Sequence, residues 1–268
     1  MTVLLPYYLL SAAVAVVICL MLDLAGWQFA AALVLGFVIA FAALIALTIL
    51  AYAILALFIN PRKPQTVRSP FFMGFLSFGL GGIVALSRIH LHVSGMDQLP
   101  EGRFLLVCNH RSNFDPIVMG WALRKYQMAF ISKPQNLQRP VVGQIIHKAN
   151  YLAIDRENDR AALRTIQTAA DLIKRDEVSF CVYPEGTRNP TAELLPFRNG
   201  AFKIAQKAKV PVVVAAIRGT DDVCHRFPWK HTDVHLDILT VLDAETVQSR
   251  KTVEIGDEVR TWITSALC

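Results

Sequence analysis

The chain has 268 residues, 54% of them hydrophobic and 18% charged, with a formal net charge of +6. This length allows one large domain, or one domain with an appendage. No compact basic stripe with interleaved aromatics occurs, so nucleic acid is not the expected partner. The five cysteines (Cys19, Cys108, Cys181, Cys224, Cys268) are scattered with no CxxC pair, which argues against a disulfide framework and a zinc site.

The apolar excess is concentrated at the start. From Val3 to Ile59, Asp23 is the sole Asp, Glu, Lys or Arg. Apolar runs over 3–22 and 27–59 flank it. A bilayer core of about 30 Å needs about 20 helical residues, so each run is read as a span, the second with residues to spare. The segment 23–28, with a charge, Gly26 and Trp27, reads as a hairpin turn at the membrane surface. Arg62, Lys63 and Arg68 follow the second run. By the positive-inside rule that end is cytoplasmic. A secretory signal is the alternative, but there is no basic n-region and the apolar stretch runs too far. Residues 71–86 form a third, glycine-rich apolar run. It is read as an interfacial or partly embedded segment, with a third span or a buried core helix as alternatives.

From about residue 89 the composition is that of a soluble domain. Strands are expected at 103–108, 128–132, 151–154, 178–183, 210–217 and 234–241. Helices are expected at 116–125, 139–148, 159–175, 200–207 and 253–267. Ala162, Ile166, Ala169, Ala170 and Ile173 give the third of these helices an apolar face. The alternation predicts an α/β fold: a central, mostly parallel sheet flanked by helices. The expected domains are a membrane-anchoring hairpin plus interfacial segment over 1–87 and the α/β domain over 88–268.

Two short segments carry candidate chemistry. In Asn109-His110-Arg111-Ser112-Asn113-Phe114-Asp115-Pro116, a histidine and an aspartate lie five apart. Five helical residues rotate a side chain by about 140°, so the pair can meet only where a strand end turns into a helix start. Pro116 suits the first helical position and places Asp115 at the N-cap. An aspartate so placed can fix the tautomer of His110 and leave its other nitrogen as a general base. The alternative is a capping aspartate beside an incidental histidine. Cys108 offers a Cys–His nucleophilic pair, against which stands a buried structural cysteine.

The second segment, Tyr183-Pro184-Glu185-Gly186-Thr187-Arg188, ends an apolar strand. Gly186 permits close backbone approach. Thr187 can donate a hydrogen bond, and Arg188 can hold two phosphate oxygens. Glu185, ill placed beside a phosphate, is expected to receive a glycerol hydroxyl or to orient an arginine. Lys133 and Arg156 are further cations at expected strand ends, where α/β domains bind ligands. Each of these, taken singly, can also be a solvated surface group.

Taken together, these blocks resemble the glycerolipid acyltransferase family typified by 1-acyl-sn-glycerol-3-phosphate (lysophosphatidate) acyltransferase, over roughly residues 88–220. The family's H-x4-D matches His110 to Asp115. Its lysine, P-x-x-G and I-x-R match Lys133, Pro140 to Gly143, and Ile154 to Arg156. Its E-G-T-R matches Glu185 to Arg188, and its V-P block matches Val210-Pro211. Three positions depart from the pattern: Gln135 where an acidic residue is usual, Asn150 where a glycine is usual, and Ala215 in place of a second proline. The resemblance implies a fatty acyl thioester donor, acyl-CoA or acyl carrier protein, and a lysophospholipid acceptor. It implies His110 as base, Asp115 as its holder, and Lys133 and Arg188, with Arg156, on the acceptor phosphate. An apolar groove for the acyl chain, and no metal or other cofactor, are expected. Lysophosphatidate is the expected acceptor and phosphatidate the product. Another lyso-lipid acceptor, or a non-catalytic lipid-binding membrane protein, are the alternatives. The expected location is integral to the membrane, with the site on the cytoplasmic face (plasma or inner membrane if bacterial).

Overall fold

The computed structural model describes residues 2–63, 69–155, 158–189, 191 and 193–267. The chain divides into two compact units, Met1–Asn60 and Pro61–Cys268.

The first unit is a helical hairpin of α1 (Leu5–Met21) and α2 (Gly26–Leu57). At 1.5 Å per residue they are about 25 and 48 Å long. Among the described helices, α2 alone is long and apolar enough to cross a bilayer by length and composition. With 17 residues, α1 sits at the lower limit for a span. The reversal between them uses positive φ at Asp23 (50°) and Gly26 (61°). Small residues bring the two helices close: a Cβ on Gly36 would lie 3.3 Å from that of Ala15. Tyr8 stacks on Phe41 at 5.2 Å, and the Tyr7 hydroxyl hydrogen-bonds that of Thr48.

In chain order, the second unit contains α3 (Pro70–Leu86), β1 (Ile89–Ser94), β2 (Leu105–Cys108), α4 (Asp115–Ala122), β3 (Met128–Ser132), α5 (Pro134–Leu137), α6 (Val142–Lys148), β4 (Leu152–Ala153), α7 (Asp159–Lys174), β5 (Ser179–Val182), α8 (Lys203–Ala208), β6 (Val212–Arg218), α9 (Val223–Arg226), β7 (Thr232–Leu242), α10 (Ala244–Ser249) and α11 (Thr252–Leu267). The seven strands form one sheet in the order β1-β7-β6-β2-β5-β3-β4. Every pairing is parallel except β6 with β7. The carboxyl ends of β6, β2, β5, β3 and β4 therefore share one edge of the sheet, and the predicted functional segments follow those ends.

The central strands β2 and β5 are buried along their whole length, as expected for a parallel sheet covered on both faces. The helix α7 buries Ile166, Ala169, Ala170 and Ile173, the apolar face read from sequence. It starts on the Asn158 side chain, which accepts a hydrogen bond from Ala161 N–H.

The third apolar run becomes α3, started by Ser69 with Pro70 in its first turn. It packs on α4 without room to spare, since a Cβ on Gly81 would come within 2.7 Å of the Trp121 ring. The sequence grouped this run with the anchor. In the structure it lies in the second unit and buries Phe72, Leu76 and Val84, while Phe71 stays 75% exposed.

The strand β1 was not read from sequence, although Ile89, Leu91 and Val93 alternate with His90, His92 and Ser94. Two of the family-type positions have steric causes. A Cβ on Gly143 would lie 2.2 Å from the Leu137 carbonyl oxygen, so only glycine lets α6 sit against α5. Asn150 has φ of 62°, a left-handed conformation that asparagine tolerates best after glycine. The departure at that position therefore keeps the loop shape.

Candidate active site

The chain leaves β2 at Cys108 and is fixed at once by Asn109. Its buried side-chain amide donates to the Ile217 carbonyl (2.9 Å) and accepts from Ile217 N–H (2.8 Å). This side chain extends the β2–β6 pairing by one rung and sets where the next residue points. That residue is His110, whose imidazole lies face to face with the Tyr183 ring at 4.2 Å and 13°.

His110 Nδ1 lies 2.7 Å from Asp115 Oδ2. The same oxygen accepts from Arg111 N–H (2.6 Å) and Ser112 N–H (2.9 Å). The other carboxylate oxygen accepts from the Thr220 hydroxyl. Asp115 is fully buried, and four donors supply what water would otherwise provide. The expected N-cap role is corrected here. Asp115 is the first residue of α4 and Phe114 is its cap residue; the carboxylate turns back to the loop that precedes it. A carboxylate can only accept, so Nδ1 carries the proton and Nε2 carries the lone pair. Nε2 has no hydrogen-bond partner among the described residues, and the His110 side chain retains 19% exposure.

Glu185 joins the two motifs. It is buried; Oε1 accepts from His110 N–H at 2.8 Å and Oε2 from Leu195 N–H at 3.1 Å. The expectation that it receives a substrate hydroxyl or orients an arginine gives way to this one: its carboxylate faces backbone amides and holds the His110 main chain. Asn189 N–H in turn donates to the His110 carbonyl (2.7 Å). Gly186 has φ of 74°, which favours glycine at the turn closed by its own N–H on the Tyr183 carbonyl (2.9 Å).

Thr187 and Arg188 are exposed beyond this turn. Lys133, also exposed, is the cap residue of α5 at the end of β3. Neither the Arg188 nor the Lys133 side chain pairs with a described residue. Since β2, β5 and β3 are adjacent, the sheet brings His110, the Glu185 to Arg188 loop and Lys133 to consecutive strand ends. Arg156 lies outside the described residues.

The sequence reading missed Thr220 and Asp221, on the loop after β6. Besides the contact of Thr220 with Asp115, the Thr220 carbonyl accepts from the Ser112 hydroxyl at 3.0 Å. Asp221 receives Arg111 in a two-pronged ion pair, Nε to Oδ1 at 3.0 Å and Nη2 to Oδ2 at 2.8 Å. Hydrogen bonding to Asp221 raises the already high pKa of Arg111. Burial pushes the Asp221 carboxyl upward, but the Arg111 contacts, its own backbone N–H and nearby His225 together outweigh it and hold it below its usual range. The available signal was positional, because a polar Gly-Thr-Asp follows the strongest strand in the chain. Gly219 has φ of 86°, and a Cβ there would strike the Asp233 carbonyl at 2.3 Å.

Burial also raises the thiols of Cys108 and Cys181 and the phenol of Tyr183. A fully buried, neutral thiol is a poor nucleophile, so Cys108 is structural and the Cys–His alternative falls away.

The Acyltransferase family description matches residues 90–218. That span runs from β1 to the end of β6 and contains every site residue named above except Thr220 and Asp221.

Over residues 90–218, 129 of its 268, this chain is similar to the acyltransferase family.

Among curated relatives, the 1-acyl-sn-glycerol-3-phosphate acyltransferase of Cocos nucifera is 35% identical over 118 residues, 44% of this chain and 38% of that protein. The protein of the same description from Haemophilus influenzae is 27% identical over 187 residues, 69% of this chain and 75% of the relative. The Bacillus subtilis protein is 33% identical over 128 residues, 47% and 62%. The chain spans 38% of the coconut protein's length and 62% of that of the two Limnanthes relatives. The crystal structure of the 1-acyl-sn-glycerophosphate (LPA) acyltransferase PlsC from Thermotoga maritima is similar with a TM-score of 0.59 at 24% identity. The match covers 81% of this chain and 87% of that one, so the fold of the acyltransferase domain is shared.

Proposed function

We propose that this protein is a membrane-anchored acyltransferase. It transfers a fatty acyl group from a thioester donor to the free hydroxyl of lysophosphatidate, giving phosphatidate. The observation that carries the reading is the His110–Asp115 pair at the carboxyl edge of the sheet, with Nε2 of His110 left without a partner among the described residues. The descriptions of the relatives support the choice of acceptor.

In this reading Nε2 removes the proton of the acceptor hydroxyl. The oxygen attacks the thioester carbonyl carbon, and Asp115 stabilises the imidazolium that forms. Collapse of the tetrahedral intermediate breaks the C–S bond. The imidazolium returns its proton to the departing thiolate, so the step balances without a metal or other cofactor. Arg188 and Lys133, two exposed cations on neighbouring strand ends, receive the acceptor phosphate, and Thr187 supplies a further hydrogen bond. Arg156 is proposed as a third cation on the strength of the family pattern alone. Glu185 and Gly186 shape the loop rather than touch the acceptor.

The anchor is the 2–57 hairpin, with α3 as an interfacial element of the catalytic domain that exposes Phe71. The Arg62 and Lys63 pair after α2 supports a cytoplasmic site. The test is purified protein with a panel of lyso-lipid acceptors, and with acyl-CoA and acyl carrier protein donors, read by product mass. Phosphatidate from lysophosphatidate with either donor is expected. Turnover of another lyso-lipid in its place would move the acceptor assignment, and no acyl transfer to any acceptor would refute the reading.

A further inference from the structure

The outward face of the sheet edge carries a cluster of groups that the acyl-transfer site does not use. In β1 the alternation of Ile89-His90-Leu91-His92 puts both histidines on one face. The first half of β7 and the residue before it place His231, Asp233 and His235 on a single face by the same period. The two strands are parallel, with His90 opposite Asp233 and His92 opposite His235, so the five side chains form one patch, exposed at all but the half-buried His235. The His90 and His231 rings stack at 4.4 Å. His90 Nδ1 is 3.9 Å from Asp233 Oδ1, and His231 Nε2 is 3.6 Å from Asp233 Oδ2. One ligand atom from each of these three residues falls within 4.8 Å of the others.

We propose that His90, His231 and Asp233 form a surface site for a divalent transition-metal ion of the zinc type, with water completing the coordination.

Two imidazoles and a carboxylate are the donor set that such ions take. Zinc bonds of about 2.0–2.2 Å in a tetrahedron set ligand atoms about 3.3 Å apart. The observed separations exceed this by a few tenths of an ångström to about 1.5 Å. All three side chains are roughly half exposed, so rotamer adjustment closes the gap without moving the backbone. His92 supplies the support that metal-bound carboxylates use: its Nε2 is 3.0 Å from Asp233 Oδ1. His92 itself stacks on His235 at 4.7 Å. A bound ion would tie β1, the edge strand of the sheet, to β7. The competing explanation is that the polar face merely keeps the edge from pairing with other chains, and that needs no ion.

The experiment uses the full chain in detergent, stripped of metal by a chelator and titrated with Co2+ as a spectroscopic stand-in for Zn2+. One equivalent is expected to bind, giving the visible d–d band of four-coordinate cobalt, with displacement by Zn2+ and a rise in melting temperature. His90→Asn and His231→Asn should each abolish the band with unchanged circular dichroism. His92→Gln should retain it with affinity lowered about 10–100-fold, and His147→Asn should leave it intact. Absence of uptake at equimolar metal and protein, or a band that survives the His90→Asn/His231→Asn double substitution, overturns the site. Complete loss in His92→Gln overturns the assignment of ligand and supporting roles.

Discussion

The backbone N–H of His110 donates a 2.8 Å hydrogen bond to the carboxylate of Glu185, 75 residues away. The two motifs are thus one structural unit: the loop that would bind the acceptor also holds the main chain of the base. Glu185→Gln places an amide donor against one of two backbone donors, and leaving such a group unpaired costs about 1–3 kcal/mol. We expect a lower melting temperature and a fall in kcat that exceeds any change in KM for the acceptor. A variant that changes acceptor KM alone, at wild-type stability, would return Glu185 to substrate binding.

His110→Ala should lower kcat about 100- to 10,000-fold, the span of a positioned general base, in a protein that still folds. Single-turnover kinetics and circular dichroism on the same preparation check both halves. Asp115→Asn should also be slow and less stable, because Oδ2 serves three donors at once. Normal turnover in folded His110→Ala protein would end the mechanism.

Arg188→Ala should lower kcat/KM for a phosphorylated acceptor, since hydrogen bonds to charged groups contribute about 1.5–3 kcal/mol each. Arg188→Lys should recover part of that loss, keeping the charge without the fork. Lys133→Ala should act in the same direction. The control is an acceptor with the same glycerol and acyl chain but no phosphate, on which Arg188→Ala should have little effect. Equal loss on both acceptors would assign Arg188 to the donor or to the loop's structure.

The Arg111–Asp221 pair predicts an acid dependence of stability. Asp221 has its folded pKa held below the unfolded value of about 3.9. Its contribution is therefore present above that value and lost as pH falls through the folded one. Melting temperatures of wild type and Asp221→Asn should differ at pH 6, and the difference should begin to shrink only as pH falls below about 4. A difference that is constant across this range would mean that the pair contributes no pH-linked stability.

For the anchor, single cysteines at Gly26 and Arg62, in a background lacking the native cysteines, report orientation. An impermeant thiol reagent should reach position 26 from outside intact cells and leave position 62 unmodified. The reverse pattern would place the catalytic domain outside.

Local patterns determined much of this protein. The apolar runs specified the hairpin, since helix length and absence of charge are properties of consecutive residues. The amphipathic face of α7 and the buried runs of β2, β5 and β6 followed from periodicity in the same way. His110 and Asp115 were legible as a pair because only five positions and a proline separate them. Tertiary structure decided what serves that pair. Thr220 reaches Asp115, and Asn109 reaches Ile217, only because β6 lies beside β2. Glu185 finds His110 because β5 lies on the other side of β2. Strand order is set by packing across the whole sheet, and no window of the sequence contains it. For that reason Glu185 was expected to receive a substrate hydroxyl or to orient an arginine, Asp115 was placed at the helix cap as well as on His110, and Thr220 and Asp221 were not read. Each role is fixed by a hydrogen-bond partner about 75–110 residues away, or by a carboxylate turned from its own helix to the donors of a loop.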